Sequence, residues 1–142
     1  MKTGSEIEED FYQAIRNTEF ARAVVKGEVY RSDFRPRDSK KEDIIVRFTA
    51  VTSGQIQEGV ITVLAYVPDI SVRGVGAKVR NSARLSELET AAAAMMESLP
   101  CSPELRDYNG ITCETGIRSY PDGNEQHFVS VRINFKYLNN KY

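Results

Sequence analysis

The chain has 142 residues and a formal net charge of −1, with hydrophobic residues at 41% and charged residues at 27%. These values suit one domain, 1–142, that buries a core without disulfide or metal support. They exclude a global electrostatic pull towards nucleic acid or an anionic membrane surface.

No apolar run approaches the roughly 20 residues that span a bilayer. The start, Met1-Lys2-Thr3-Gly4-Ser5-Glu6, turns acidic at once and lacks the apolar stretch of a secretory signal. Cys101 and Cys113 form no CxxC pair and read as free thiols of a reducing cytoplasm. Residues 1–4 and 139–142 are expected to fray.

Ser5-Glu6-Ile7-Glu8 reads as a capping box, and Glu6, Glu8, Glu9 and Asp10 suit the positive end of a helix. Ile7, Phe11, Ala14, Ile15 and Thr18 recur at helical spacing, and Gly27 is a natural stop, so a helix is predicted over Glu6–Val25. Val29-Tyr30 is a short strand candidate. Arg31–Asp43, with both charge signs and Pro36, reads as an exposed loop.

Ile44–Val51 is strand-like through its β-branched content, and Glu58–Val67 is apolar on both faces. A turn at Thr52–Gln55 joins them into a hairpin, and Pro68 ends the second strand. Asp69–Arg84 is then a long connection carrying Arg73, Lys78, Arg80 and Arg84 against the single acid Asp69. Connections of this length inside a compact domain tend to be functional.

Leu85, Leu88, Ala92, Met95 and Leu99 form a helical stripe, with Ser82 or Ser86 as caps and Pro100 as the stop. Gly110–Tyr120 and Gln126–Leu138 form a second hairpin around Tyr120-Pro121-Asp122-Gly123-Asn124, where the glycine is expected to take positive φ. The last strand alternates, with His127, Val129, Val131, Ile133, Phe135 and Tyr137 on one face. The expected fold class is α+β: a mainly antiparallel sheet of two hairpins plus a short strand, with two helices on one face.

Candidate chemistry is sparse. His127, the single histidine, falls on an apolar strand face without a metal-ligand spacing and reads as structural. Neither cysteine sits at a predicted helix N-terminus, where a thiol would be activated. The acids Glu6, Glu8, Glu9 and Asp10 are explained by capping. Gly74-Val75-Gly76 completes no phosphate-binding motif, and there is no GxSxG elbow. The expectation is a protein that is not an enzyme and carries no metal or cofactor. Arg73, Lys78, Arg80 and Arg84 are the candidate site, a lumen or docking surface if repeated around a ring.

The layout Ser5–Val25, Ile44–Val67, Leu85–Leu99 and Ile111–Leu138 resembles the tail terminator, or tail-completion, proteins of long-tailed bacteriophages and prophages. The resemblance covers nearly the whole chain and rests on element order. It implies a structural virion-assembly protein that forms a ring, usually a homohexamer, which caps the tail tube and joins tail to head. It implies the tail tube protein and the head–tail connector as partners, transient DNA contact in the lumen and no membrane. It implies host cytoplasm during assembly and then the tail–neck junction of the virion. The alternative is a small α+β module that binds nucleic acid or a ligand. RNA-binding sheets display stacked aromatics on an open face, whereas the open face here is expected to offer Arg132, Lys136 and Phe128.

Overall fold

The computed structural model describes residues 1–52 and 54–138, apart from the side chains of Ala23, Val24, Asp33 and Ala50. The 139–142 tail and Ser53 of the 52–55 turn lie outside the described residues. The elements are α1 (Gly4–Arg16), β1 (Val29–Arg31), β2 (Ile44–Val51), β3 (Ile56–Pro68), α2 (Ser82–Ser98), β4 (Tyr108–Cys113), β5 (Arg118–Asp122) and β6 (Gln126–Leu138). Among the described residues the six strands form one mixed, mostly antiparallel sheet in the order β1-β2-β3-β6-β4, with β5 also paired to β6. The fold class is α+β, with both main helices packed against this sheet.

The centre is the β3–β6 pair, in register from Ile56↔Leu138 to Pro68↔Gln126. Period-2 alternation sends Ile61, Val63, Ala65 and Val67, with Val129, Val131, Ile133 and Phe135, to the helical side. There α1 buries Ile7, Phe11, Ala14 and Ile15, and α2 buries Leu85, Leu88, Ala92 and Met95. Phe11 meets Tyr108 edge-to-face at 5.1 Å and the tilted ring of Phe135 at 5.2 Å, joining helix to sheet. Burying each such large side chain contributes about 1.5–3 kcal/mol.

Helix α1 begins earlier and ends sooner than its periodicity predicts. Thr3, not Ser5, is the N-cap: its Oγ1 accepts from Glu6 N at 3.2 Å while Glu6 Oε1 accepts from Thr3 N at 3.0 Å. Glu8 is unavailable for capping because it points at the sheet. It accepts from Phe48 N (2.9 Å), Ser32 Oγ (2.6 Å) and Arg31 Nε (3.2 Å). The helix stops at Asn17, because Thr18 Oγ1 donates to Ile15 O at 2.6 Å and accepts from Ala21 N at 3.3 Å. A threonine that bonds the backbone locally offers the chain an alternative to the helix. The chain continues as a single π turn, Phe20–Val24.

Residues 31–43 are not a free loop. Arg35 is only 7% exposed and pairs with fully buried Asp43 at 3.0 Å. Asp43 also accepts from Glu28 N at 3.0 Å and Ser39 Oγ at 2.6 Å. Burial raises this carboxyl, but the bonds from Ser39, Glu28 and Arg35 outweigh it and hold it below its ordinary range. Gly27 permits the approach: a Cβ there would stand 1.9 Å from Glu42 O and 2.3 Å from Asp43 Oδ1. The segment thereby lays β1 parallel to β2, in register Val29↔Ile44.

The predicted 110–120 strand divides into β4 and β5, which pair successively with β6. A bulge between Asn109 and Thr112, with Gly110 at φ 61°, turns Ile111 into the core. In the β5–β6 turn the positive φ belongs to Glu125 (56°), not Gly123. Glu125 is held there because its carbonyl accepts from Asp69 N at 2.9 Å, which outweighs a left-handed cost of about 1–2 kcal/mol. Helix α2 is capped by Asn81 Oδ1, which accepts from Arg84 N at 3.3 Å, rather than by Ser82 or Ser86.

Candidate functional site

The 69–84 connection forms an exposed arm closed at its base. Its root is fixed three ways. Ile70 and Val79 exchange backbone bonds of 2.8 and 2.9 Å. His127 Nδ1 lies 2.7 Å from Asp69 Oδ1. Lys78 Nζ lies 3.3 Å from Glu125 Oε2. Beyond that root the tip is open. Gly74 takes φ 86°, and a Cβ on Gly74 or Gly76 would meet nothing within 4 Å. Ile70, Val72 and Val75 remain 40%, 40% and 48% exposed. The arm is therefore both cationic and apolar.

The four cations named from sequence separate. Arg84 belongs to α2 and is locked by Glu42, with Nε–Oε2 at 2.9 Å and Nη2–Oε1 at 2.8 Å, and by Glu87 at 2.8 Å. The bonds to Glu42 drive its guanidinium further above its already high range. Lys78 shares its charge with Glu125. Arg73 and Arg80 are exposed and form no ion pair among the described residues.

Sequence reasoning missed the apolar half of the arm. The signal was present in Ile70-Ser71-Val72 and Val75, apolar residues inside a glycine-containing connection where polar ones are the rule. It also missed a cleft of about 330 Å³ between the Phe20–Val24 turn and the later turns of α2. Phe20, Ala91, Ala94 and Met95 line it, with Glu19 at its rim. This cleft lies where the chain has already left α1, which ends at Arg16, so a continuous Glu6–Val25 helix could not foretell it.

The open sheet face carries an aromatic row, Tyr66–Phe128–Tyr120, with ring centroids 5.6 and 5.7 Å apart. Only Phe128 was assigned there from sequence. The Arg35 guanidinium covers Tyr66 at 4.1 Å, and only Tyr120 of the three keeps substantial exposure, 39%. Arg132 and Lys136 lie on this face as expected, but each is next to an acid, Glu114 at 3.0 Å and Glu58 at 3.7 Å. The row thus serves mainly to close a small cluster with Ile45 and Leu64.

His127 and Asp69 pin the arm, as a structural pair would. Cys101 is exposed and Cys113 half-buried, both free, and burial pushes the Cys113 thiol up. Tyr108 donates to Asp10 at 2.7 Å, and burial with that carboxylate raises its phenol. Among the described residues no cluster of three His, Cys, Asp or Glu side chains could hold a metal ion. Among the described residues no helix is long and apolar enough to cross a membrane. Comparison with protein-family models and with curated proteins finds no match.

Proposed function

We propose that the protein is a structural assembly subunit of the tail-terminator kind, which forms a ring that caps a tail tube and joins tail to head. The observation that carries this reading is the arm, where Ile70, Val72 and Val75 are 40–48% exposed beside Arg73 and Arg80, which form no ion pair among the described residues. Apolar side chains on a pinned projection cost about 25 cal/mol per Å² of surface left in water. That cost is recovered when the arm seats on a partner. A one-sided sheet adds edges that are unpaired among the described residues, at β1 and along β4 and β5, which neighbouring subunits in a ring can cover.

The ring's partners are then a tail tube protein on one side and a head–tail connector on the other. The subunit works in the host cytoplasm during assembly and at the tail–neck junction of the virion afterwards. Light scattering across a concentration series, with negative-stain images of the heaviest species, tests this. Closed rings are expected, with subunit contacts of about 800 Å² or more on each partner. A strict monomer at every concentration, with no association even at about millimolar protein, would refute it.

A further inference from the structure

We infer that the cleft between the 31–43 segment and the open face of the sheet binds a small phosphomonoester with a hydroxyl-bearing carbon skeleton. The inference is independent of the ring reading. The cleft measures about 350 Å³. β2 contributes Arg47 to it and β3 contributes Tyr66. The 31–43 segment contributes Arg35 and Arg37, and the β5–β6 end contributes Asp122 and Asn124. Asp43 holds Arg35 in place at 3.0 Å, so the buried network of this segment also builds one wall of the cleft.

Two donors in this cleft are nearly buried and have no acceptor. The Arg35 side chain is 7% exposed and Tyr66 is 9% exposed. Arg35 donates from Nε to Asp43 and from Nη2 to Ser39 O, Lys41 O and Gln126 Oε1, but Nη1 makes no hydrogen bond. The Tyr66 hydroxyl makes none either. Among the described residues no sealed polar side-chain atom lacks a partner. Both groups therefore keep an opening, and the cleft is an opening that both residues line. Burial and Asp122 raise the Tyr66 phenol, so it stays protonated and able to donate.

The charge has one sign to satisfy. Arg37 and Arg47 are exposed and form no hydrogen bond or ion pair among the described residues. Asp43 answers Arg35, so Arg37 and Arg47 stand against Asp122 alone among the lining residues. Lys40 adds to them at the rim, its Nζ donating to Asn124 O at 2.6 Å. Forked guanidinium donors with positive charge in excess suit a phosphate group, which carries about −1.5 to −2 at neutral pH. Asp122 accepts from Gln126 Nε2 at 2.6 Å through Oδ2 and keeps Oδ1 for a ligand hydroxyl. A cleft of this size exceeds a bare phosphate and admits a short carbon skeleton.

Titration calorimetry at low salt tests this with ribose 5-phosphate, and with ribose and inorganic phosphate as its two halves. Ribose 5-phosphate should bind with Kd below about 1 mM. Inorganic phosphate should bind more weakly, and ribose alone should give no heat. R37Q/R47Q should weaken ribose 5-phosphate at least about ten-fold, because two charge-assisted contacts are lost. Y66F keeps the ring beneath Arg35 and loses only the hydroxyl, and should weaken it about three-fold. The replaced groups make no hydrogen bond within the described protein, so both variants should melt at the wild-type temperature. Absence of heat with ribose 5-phosphate at about 10 mM would overturn the inference. Equal binding by wild type, R37Q/R47Q and Y66F would overturn it too, since the ligand would then sit elsewhere. An oligothymidylate strand that binds through Arg37 and Arg47 where ribose 5-phosphate does not would replace it with a nucleic-acid face. None of these outcomes bears on whether rings form.

Discussion

Replacing Asp43 by asparagine removes one charge from the centre of the network that holds residues 31–43 against the sheet. The carboxylate is fully buried and accepts from Glu28 N, Ser39 Oγ and Arg35 Nε. The amide keeps the shape but leaves the Arg35 guanidinium, 7% exposed, without its counter-charge. Removing one partner of a buried ion pair costs about 3–5 kcal/mol. Arg35 still donates to the carbonyls of Ser39 and Lys41 and to Gln126 Oε1, and it still covers Tyr66. The lower end, about 3 kcal/mol, is therefore expected, which in a chain of this length lowers Tm by about 10 °C.

Urea denaturation at neutral pH measures that loss, and a pH series checks its origin. The folded-state carboxyl lies below its ordinary range. Its contribution is thus present above the unfolded pKa of about 3.9 and lost as pH falls through the lower folded value. The asparagine variant has no such group to protonate, so the gap between the two proteins should narrow in acid. An asparagine variant within about 1 kcal/mol of wild type at neutral pH would refute the reasoning. So would a gap that stays constant into acid.

Gly27→Ala should destabilise by about 2–3 kcal/mol in the same urea assay, because its Cβ would overlap the Glu42 carbonyl oxygen. A neutral outcome would mean that the 27–43 approach is looser than described. The thiols should react in two phases with an aromatic disulfide reagent at neutral pH. Exposed Cys101 reacts first, and half-buried Cys113, its thiol raised by burial, reacts slowly until the protein unfolds.

Sequence by itself determined the elements whose signal is local. The alternation of Val129, Val131, Ile133 and Phe135 fixed a half-buried strand, and the stripe Leu85, Leu88, Ala92 and Met95 fixed the second helix. Pro68 marked a strand end. Such patterns repeat with the period of the backbone itself, so they need no knowledge of neighbours. With them came the α+β class and the placing of both helices on one face.

Tertiary structure decided whatever depended on a distant partner. Two capping boxes competed at the N-terminus, and Thr3 prevailed because Phe48 N, Ser32 and Arg31 claim Glu8 from other elements. A segment with mixed charges looked solvated, yet a buried Asp43 gathers it against the sheet. Glu125, not Gly123, takes the left-handed turn position because Asp69 N bonds its carbonyl from across the arm root. The candidate site followed the same division. Its cations could be read along the chain, but their sorting could not, since Glu42 captures Arg84 over a separation of 42 residues. The apolar residues of the tip could be read along the chain, but their exposure could not, and the cleft beside α2 becomes visible only when burial is known, because a valine in a sequence does not say which side of it faces water.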